Sequence, residues 1–410
     1  MTAGGEARPE GVHGLDLVLT AACNLRCSYC YQNDKQPKRM EWSTAAAALD
    51  LVLRSDRDEI VITFFGGEPL LEMDTIRRAV AYVRARLPAG KRVKFVMSTN
   101  GTLLDDATAA FLALHDFHTQ LSFDGVPPAQ AARGLHTWSR LDELLTRLGS
   151  EFPSWFRRSF DVAVTVHSGN VAHLFDSFAY LAGKRVATVK AGPLFTHDAG
   201  WTPAHRDLLD AQVRRVFDLS LRIYRETGRV PFEPFRKTER RRPAPRPRAM
   251  CGVGGGEVIA VDVDGQTTGC VTFAESYQKL PSDLLRGRLE AMRMGDVRSR
   301  DFPRRLALYP EAARAAGIFD DKQDKHSSYA RCGECAYLAT CSVCPTSIGH
   351  IPGNTDPTRV PDHQCAYHLV VQAHRARFPR QPTLSEKLSG RAGEPRLARA
   401  RGRAASRKEA

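Results

Sequence analysis

The chain predicts an α/β fold, a parallel sheet with helices on both faces, followed by a smaller cysteine-rich module. Two observations carry this. Short apolar strands alternate with longer amphipathic segments through residue 227, and beyond a basic, proline-rich stretch at 235–248 the pattern changes to hairpin signals and bunched cysteines. Length agrees, since 410 residues, 42% of them apolar, exceed the usual size of one domain and imply about two.

The strands come first. "LDLVLT" at 15–20, "EIVITFF" at 59–65, "RVKFVMST" at 92–99, "TQLSFD" at 119–124, "DVAVTV" at 161–166 and "RVATVKAG" at 185–192 each have the length and β-branched content of a buried strand. Between and after them, 43–54, 73–88, 105–114, 139–148, 171–182 and 203–226 carry helix-compatible periodicity. Six such repeats fit an open parallel sheet or an incomplete barrel. In either form ligands collect at the carboxyl ends of the strands. There the sequence places a cysteine loop after the first strand, "GGEP" at 66–69 after the second, "NG" at 100–101 after the third and "DG" at 124–125 after the fourth. Any one of these is an ordinary turn. Four in register with a cysteine cluster define a site.

Composition narrows the class. No basic segment followed by a short apolar stretch opens the chain, and no apolar run is long enough to span a bilayer, so the protein reads as cytoplasmic with no membrane partner. In a reducing compartment, ten unevenly bunched cysteines argue for metal or redox chemistry over disulfides. The net charge of +13 is concentrated in "FRKTERRRPAPRPR" at 235–248 and in the terminal twenty residues. That charge reads first as solvated composition bias, second as an attractor for an acidic peptide. Nucleic acid is disfavoured because the basic tail has no interleaved aromatic platforms.

Cys23, Cys27 and Cys30 form a CxxxCxxC loop followed by Tyr31. Thiolates suit zinc or iron-sulfur ligation, and this spacing lacks the paired knuckles of a structural zinc site. Three thiolates on a four-iron cubane leave one iron open to an outside ligand. The motif resembles that of the radical S-adenosylmethionine (SAM) enzymes. The resemblance implies a partial (β/α)6 TIM-like barrel and one radical SAM 4Fe-4S cluster whose open iron binds S-adenosyl-L-methionine and cleaves it to a 5'-deoxyadenosyl radical. It also implies cofactor-binding roles. Gly66, Gly67, Glu68 and Pro69 resemble the methionine-binding segment, with backbone groups and Glu68 receiving the ammonium; Ser98 and Asn100 resemble ribose contacts. Ser122 and Asp124 would lie beside the pocket, Arg133 would meet the carboxylate, and Tyr31 would shield the cluster or nucleotide. Thr165 and Asn170 are weaker candidates, and His167 reads as a packing or capping residue.

Seven more cysteines follow. Cys251 and Cys270 flank a hairpin signal containing "DVDG"; "CGECAYLATCSVC" supplies Cys332, Cys335, Cys341 and Cys344; Cys365 comes later. This arrangement resembles the SPASM extension of radical SAM enzymes, and the combined resemblance covers about residues 15–370. It implies two auxiliary iron-sulfur clusters of the 4Fe-4S type, one on Cys332, Cys335, Cys341 and Cys365, the other on Cys251, Cys270 and Cys344. The second of these sets is one ligand short. The resemblance leaves three alternatives for it: an open coordination site, a non-cysteine ligand such as Glu257 or Asp262, or a variant nuclearity.

The implied organisation is an N-terminal extension (1–14), the barrel (15–227), a basic linker (228–250), the SPASM domain (251–375) and a basic tail (376–410). The implied activity is maturation of a ribosomally synthesised precursor peptide by hydrogen abstraction and oxidative crosslinking through a thioether or carbon-carbon bond, with flavodoxin or ferredoxin as electron donor. Formylglycine formation, as in the anaerobic sulfatase maturases, is the alternative, alongside small-molecule dehydrogenation. The maturases have an aspartate just after the hairpin cysteine, where this chain has Val271 and Thr272. His197, Asp198 and Trp201, in a loop after the sixth strand, are candidates for the substrate side of the cleft.

Overall fold

The computed structural model describes residues 9–32, 35–134, 136–237, 253–274, 282–317 and 322–382. Cys251, the linker residues 238–250 and the tail beyond 382 lie outside them.

Six strands, β1 (Gly14–Val18), β2 (Glu59–Phe65), β3 (Arg92–Thr99), β4 (His118–Ser122), β5 (Phe160–Val166) and β6 (Thr188–Pro193), pair in chain order and all in parallel. The crossovers carry α1 (Trp42–Leu53), α2 (Met73–Arg86), α3 (Asp106–Leu114), α4 (Pro127–Gln130), α5 (Thr137–Glu151), α6 (Pro153–Ser159) and α7 (Leu174–Gly183), and α8 (Pro203–Thr227) follows β6. The sheet does not close, because β6 ends one edge and β1 turns its other side to a strand from the C-terminal part. The expected partial barrel is therefore the fold adopted. Short α4 and α6 are additions that the periodicity did not reveal, being too brief to show it.

Period-two alternation sorts the side chains. On β2 and β3, Ile60, Ile62, Phe64, Phe95 and Met97 are fully buried, while Thr63, Phe65, Val96 and Ser98 on the opposite face are partly open. Phe64, Phe95 and Phe117 stack with centroids 5.3–6.3 Å apart. Burying each such ring is worth about 1.5–3 kcal/mol, so this cluster anchors the middle of the sheet. Local chemistry fixes the helix ends. Asp105 caps α3 by accepting from Thr108 N at 2.8 Å, Pro203 opens α8 behind a Thr202–His205 capping box, and Gly228 closes it at φ 70°.

The C-terminal part continues the same sheet. β7 (Val258–Val261) pairs in parallel with β1, β8 (Gln266–Thr268) returns antiparallel to it, and β9 (Gly295–Asp296) pairs with β8, giving nine strands. Around this hairpin lie α9 (Arg286–Ala291), α10 (Phe302–Ala316) and the last helix, α11 (Asp362–Arg377). α11 lies on the barrel: Tyr367 Oη donates to Ala191 O at 2.6 Å, and Gln364 Nε2 donates to Leu194 O at 2.9 Å. Residues 229–237, expected in the linker, instead pack into the barrel. Phe232 pairs in parallel with Val189, and buried Phe235 stacks on Phe378 at 5.2 Å. Residues 376–382, expected in the tail, supply that Phe378 and so belong to the packed molecule. Among the described residues no helix is long and apolar enough to cross a membrane.

Candidate functional site

The cysteine loop is held by the strand beside it. Beyond β1, Leu19 N donates to Phe65 O at 2.9 Å, Gly67 N to Thr20 O at 2.8 Å and Glu68 N to Ala22 O at 2.9 Å, so the end of β2 grips residues 19–22 just before the first thiol. Glycine is required for that approach. A Cβ on Gly67 would stand 2.2 Å from Ala22 O and 2.9 Å from Cys23 Cβ, and one on Gly66, at φ 154°, would stand 2.6 Å from Thr20 O.

Glu68, expected to receive an ammonium, lies at the junction of β2 and β3. Its side chain is fully buried, and its oxygens accept from Leu70 N at 3.1 Å, Thr99 Oγ1 at 2.6 Å and Asn100 N at 2.7 Å. The carboxylate joins the end of β2 to the end of β3 and is not reachable from the cleft. Burial raises its pKa to about 7 against those three donors.

Asn100 is oriented by the same loop. Its Nδ2 donates to Asn24 Oδ1 at 2.9 Å, Asn24 Nδ2 donates to Thr102 Oγ1 at 2.8 Å, and that hydroxyl donates to Asn100 Oδ1 at 2.7 Å. This closed ring ties the cysteine loop to the third strand's end. Ser98 and Ser122 are half-buried at the ends of β3 and β4.

The densest electrostatic centre is Asp124, which is fully buried. It accepts from Arg133 Nε and Nη2 at 3.0 Å each, from Thr165 N at 2.8 Å and from the Tyr29 hydroxyl. Arg133 also donates to Thr165 Oγ1 at 3.2 Å, and its carbonyl faces Cys27 Sγ at 3.8 Å. The guanidinium expected to meet a ligand carboxylate forms a bidentate pair with Asp124 in this structure. Burial pulls the guanidinium pKa down, but Asp124 and Tyr29 outweigh it and hold it above the usual value. Asn170 Nδ2 donates to Thr165 O at 2.8 Å and extends the network to β5. Sequence reasoning singled out Tyr31, yet Tyr29 is the aromatic joined to this centre. Tyr31 packs on Phe195, centroids 5.3 Å apart, and beside Phe65 and Cys270. The signal for Tyr29 was its place between the second and third thiols. His167 packs 5.2 Å from Tyr29, and its buried Nε2 has no hydrogen-bond partner among the described residues.

Burial raises the pKa values of Cys23, Cys27 and Cys30; Lys35 and, for Cys27 most strongly, Arg133 oppose that rise. Among the described residues no three His, Cys, Asp or Glu side chains converge on a single metal ion. A cubane takes each thiolate on a different iron, so the donor chemistry of three neighbouring thiols beside two cations fits a cluster better than a lone ion.

In the C-terminal part, Cys332, Cys335, Cys341 and Cys365 line one largely apolar cavity of about 40 Å³, with Lys322, Lys325 and His368. Burial, then the neighbouring thiols Cys341 and Cys335, push Cys332 up to about 11; burial likewise pushes Cys365 to about 11. Such mutual repulsion is relieved by a bound cationic iron core, so the residues present fit an iron-sulfur group. Cys344 and Cys270 are absent from that lining; each has a threonine hydroxyl two residues on, Thr346 at 3.1 Å and Thr272 at 3.3 Å. The two residues named as substitute ligands for the short set have hydrogen-bonding partners in the chain. Glu257 pairs with Arg57 at 2.9 Å on the surface, and Asp262 is turned onto its own hairpin, accepting from Val263 N at 2.8 Å.

The loop after β6 joins the two parts. Asp198 accepts from Ser168 N at 2.7 Å and Ser168 Oγ at 2.6 Å, and Trp201 Nε1 donates to Tyr329 Oη at 3.3 Å, while His197 is exposed. Trp201 thus reaches the C-terminal part, while Asp198 ties the loop to the end of β5.

With this geometry in place, residues 17–174 match the model of the radical SAM superfamily. Residues 17–174 are thus similar to a radical SAM domain. Its relatives include the uncharacterized protein MJ0907 of Methanocaldococcus jannaschii, 29% identical over 44% of this chain and 62% of that one. A serine-type anaerobic sulfatase-maturating enzyme of Klebsiella aerogenes is 28% identical over 47% of this chain and 49% of that one. The chain thus spans 62% and 49% of these two relatives' lengths. Among solved structures, anSMEcpe with bound AdoMet superposes with a TM-score of 0.66 at 17% identity, covering 88% of this chain and 93% of the other. Streptococcus suis SuiB bound to its precursor peptide SuiA superposes with a TM-score of 0.54 at 12% identity, covering 86% and 76%. Both likenesses run past the matched region, so the fold shared with these structures continues into the cysteine-rich part.

Proposed function

We propose that the chain is a radical SAM enzyme acting on a peptide or protein side chain, with S-adenosyl-L-methionine bound between the cysteine loop and the ends of β3 to β5. The observation that carries this reading is the convergence there of Cys23, Cys27 and Cys30 with the Asn24–Asn100–Thr102 ring and the Tyr29–Asp124–Arg133–Thr165 network. When bound, the cluster and S-adenosylmethionine supply a 5'-deoxyadenosyl radical. The chain's own residues fix the loop that carries the thiols, orient Asn100, and keep Arg133 charged beside Cys27.

The finer reaction favoured is oxidation of a cysteine or serine to formylglycine. The likeness to anSMEcpe, at TM-scores of 0.64–0.66, exceeds that to SuiB at 0.52–0.54, and curated sulfatase-maturating enzymes are among the relatives. The missing aspartate after Cys270 has a candidate replacement. Asp16, on β1, is half-buried, close enough to Cys270 to influence its thiol, and raised to about 6 by burial against a hydrogen bond from Thr63. A carboxyl with that pKa accepts a proton near neutral pH. Oxidative crosslinking of a precursor peptide is the second reading, supported by buried Val271 at the aspartate's position and by the likeness to peptide-bound SuiB.

The test is anaerobic incubation of reconstituted enzyme with reductant, S-adenosylmethionine and either a serine-containing sulfatase-type peptide or the peptide encoded beside the gene. High-resolution mass spectrometry should find loss of two hydrogens at the serine and capture by a hydrazine reagent. Loss of two hydrogens at a fragment-linked residue pair, without hydrazine capture, selects the crosslink. Release of 5'-deoxyadenosine with both peptides unchanged rejects both readings.

A further inference from the structure

The cysteine loop follows β1, and residues 194–195 follow β6, the two ends of the six-stranded parallel run. Those two strands are not paired with each other. Laid flat, five strand spacings of about 4.8 Å would hold them about 24 Å apart. The sheet curls far enough to bring the two loops together, and the Tyr31 and Phe195 rings meet with centroids 5.3 Å apart at 59°. Aromatic pairs attract at that separation. A side-chain contact thus spans the side of the barrel that strand pairing leaves open among the described residues.

Both rings are held from behind. Tyr31, next to Cys30, packs with Phe65 and Cys270 on the apolar cluster of Val18, Val263 and Val271. Phe195 is fixed through its main chain. Leu194 N donates to Val166 O at 2.8 Å; Leu194 O accepts from His363 Nε2 at 2.8 Å and from Gln364 Nε2 at 2.9 Å, and Gln364 Nε2 also reaches Phe195 O at 3.1 Å. The Phe195 ring also meets that of buried His350, centroids 5.3 Å apart. His363 and Gln364 lie in the first turn of α11, just before Cys365, and His350 ends the 3-10 segment Pro345–His350 that follows Cys344. The loop that carries the first three thiols therefore leans, through Phe195, on the segments that carry two of the later ones.

We propose that Phe195 is a positioning residue for S-adenosylmethionine binding, holding Tyr31 and with it the trailing end of the cysteine loop. The start of that loop is gripped by β2, and its middle by Asn100 and Asp124. The Tyr31–Phe195 contact supplies a third hold, at the residue next to Cys30. A loop set in place beforehand spares the ligand the cost of ordering it, so the contact acts on affinity without touching the ligand. The proposal rests on the reading that S-adenosylmethionine binds beside this loop.

The test is anaerobic equilibrium dialysis of the full-length reconstituted protein against radiolabelled S-adenosylmethionine, with iron counted in each sample. The EPR change on adding S-adenosylmethionine to the reduced protein is recorded in parallel. Phe195→Ala and Tyr31→Ala, at full iron content, should each weaken binding by roughly fivefold to tenfold and alter that EPR change. Their double variant should bind no more weakly than either single variant, because the rings act as a pair. Phe195→Tyr should keep the wild-type affinity. Unchanged affinity in both alanine variants, or losses that add in the double variant, overturns the proposal while leaving the binding of S-adenosylmethionine beside the loop intact. Should Phe195→Ala lose iron, Gln364→Met decides, since it removes the bonds to Leu194 O and Phe195 O and leaves both rings in the chain. Weakened binding at full iron in Gln364→Met upholds the proposal; wild-type binding, or loss of iron here as well, assigns these residues to packing and overturns it. If the wild-type protein takes up iron but binds no S-adenosylmethionine, the proposed function falls and this proposal with it.

Discussion

Asp124 and Arg133 form a buried ion pair beside the cysteine loop. Neither is solvated, with side-chain exposures of 0% and 10%, and the aspartate also fixes Tyr29 and the end of β5. Removing one partner of a buried pair costs more than removing both, because the survivor keeps an uncompensated charge or dipole. Asp124→Asn is expected to destabilise the protein by about 3–5 kcal/mol. The double variant Asp124→Asn/Arg133→Met should recover a substantial part of that loss. Anaerobic urea denaturation of the two single variants and the double variant measures the coupling directly. Additive losses would show the pair to be energetically idle. Production of 5'-deoxyadenosine should fall at least tenfold in each single variant, since Arg133 also fixes the backbone facing Cys27.

At the scale of elements, the site is built from strand ends, and the tightest junction joins β2 to the cysteine loop. Gly67 lies where any Cβ would meet backbone, which cannot move aside as a flexible side-chain tip can. Gly67→Ala is therefore expected to push the loop off the end of β2, with loss of the 4Fe-4S absorbance contributed by Cys23, Cys27 and Cys30 and of S-adenosylmethionine cleavage. Secondary structure elsewhere should survive, so far-UV circular dichroism close to wild type with iron content reduced by one cluster is the expected pair of results. Full iron loading would show that the loop tolerates the displacement. The existence and order of the six strands and their long helices were legible because period-two and period-3.6 patterns are printed directly in the side chains. The polar roles were not. The three donors to Glu68 come from residues 70, 99 and 100, and no local pattern reports a bond across strands. Tyr29 was passed over for the same reason, its partner Asp124 lying 95 residues away.

Across the whole molecule, the chain reads as two modules in sequence but is joined through one sheet and one helix pair. β7 adds to β1, and α11 returns to lie on α8 and the end of β6, where His374 meets Asp210 at 2.9 Å and the Phe378 ring fills the space between Phe217, Tyr224 and Phe235. The basic, proline-rich composition concealed this, since it suggested a linker from residue 228 when residues 229–237 in fact supply the far side of that aromatic cluster. A boundary drawn through a shared core predicts that the parts do not unfold separately. Denaturant unfolding of the reconstituted protein, followed in parallel by far-UV circular dichroism and tryptophan fluorescence, should give one coincident transition. Phe378→Ala removes a fully buried ring and should cost about 3–5 kcal/mol while keeping the transition single, because the β1–β7 pairing still couples the two parts. Two separated transitions in wild-type protein would mean that the β7 and α11 contacts are too weak to couple the parts. The position of Cys365 on α11 would then no longer link the integrity of the four-cysteine cavity to that of the barrel.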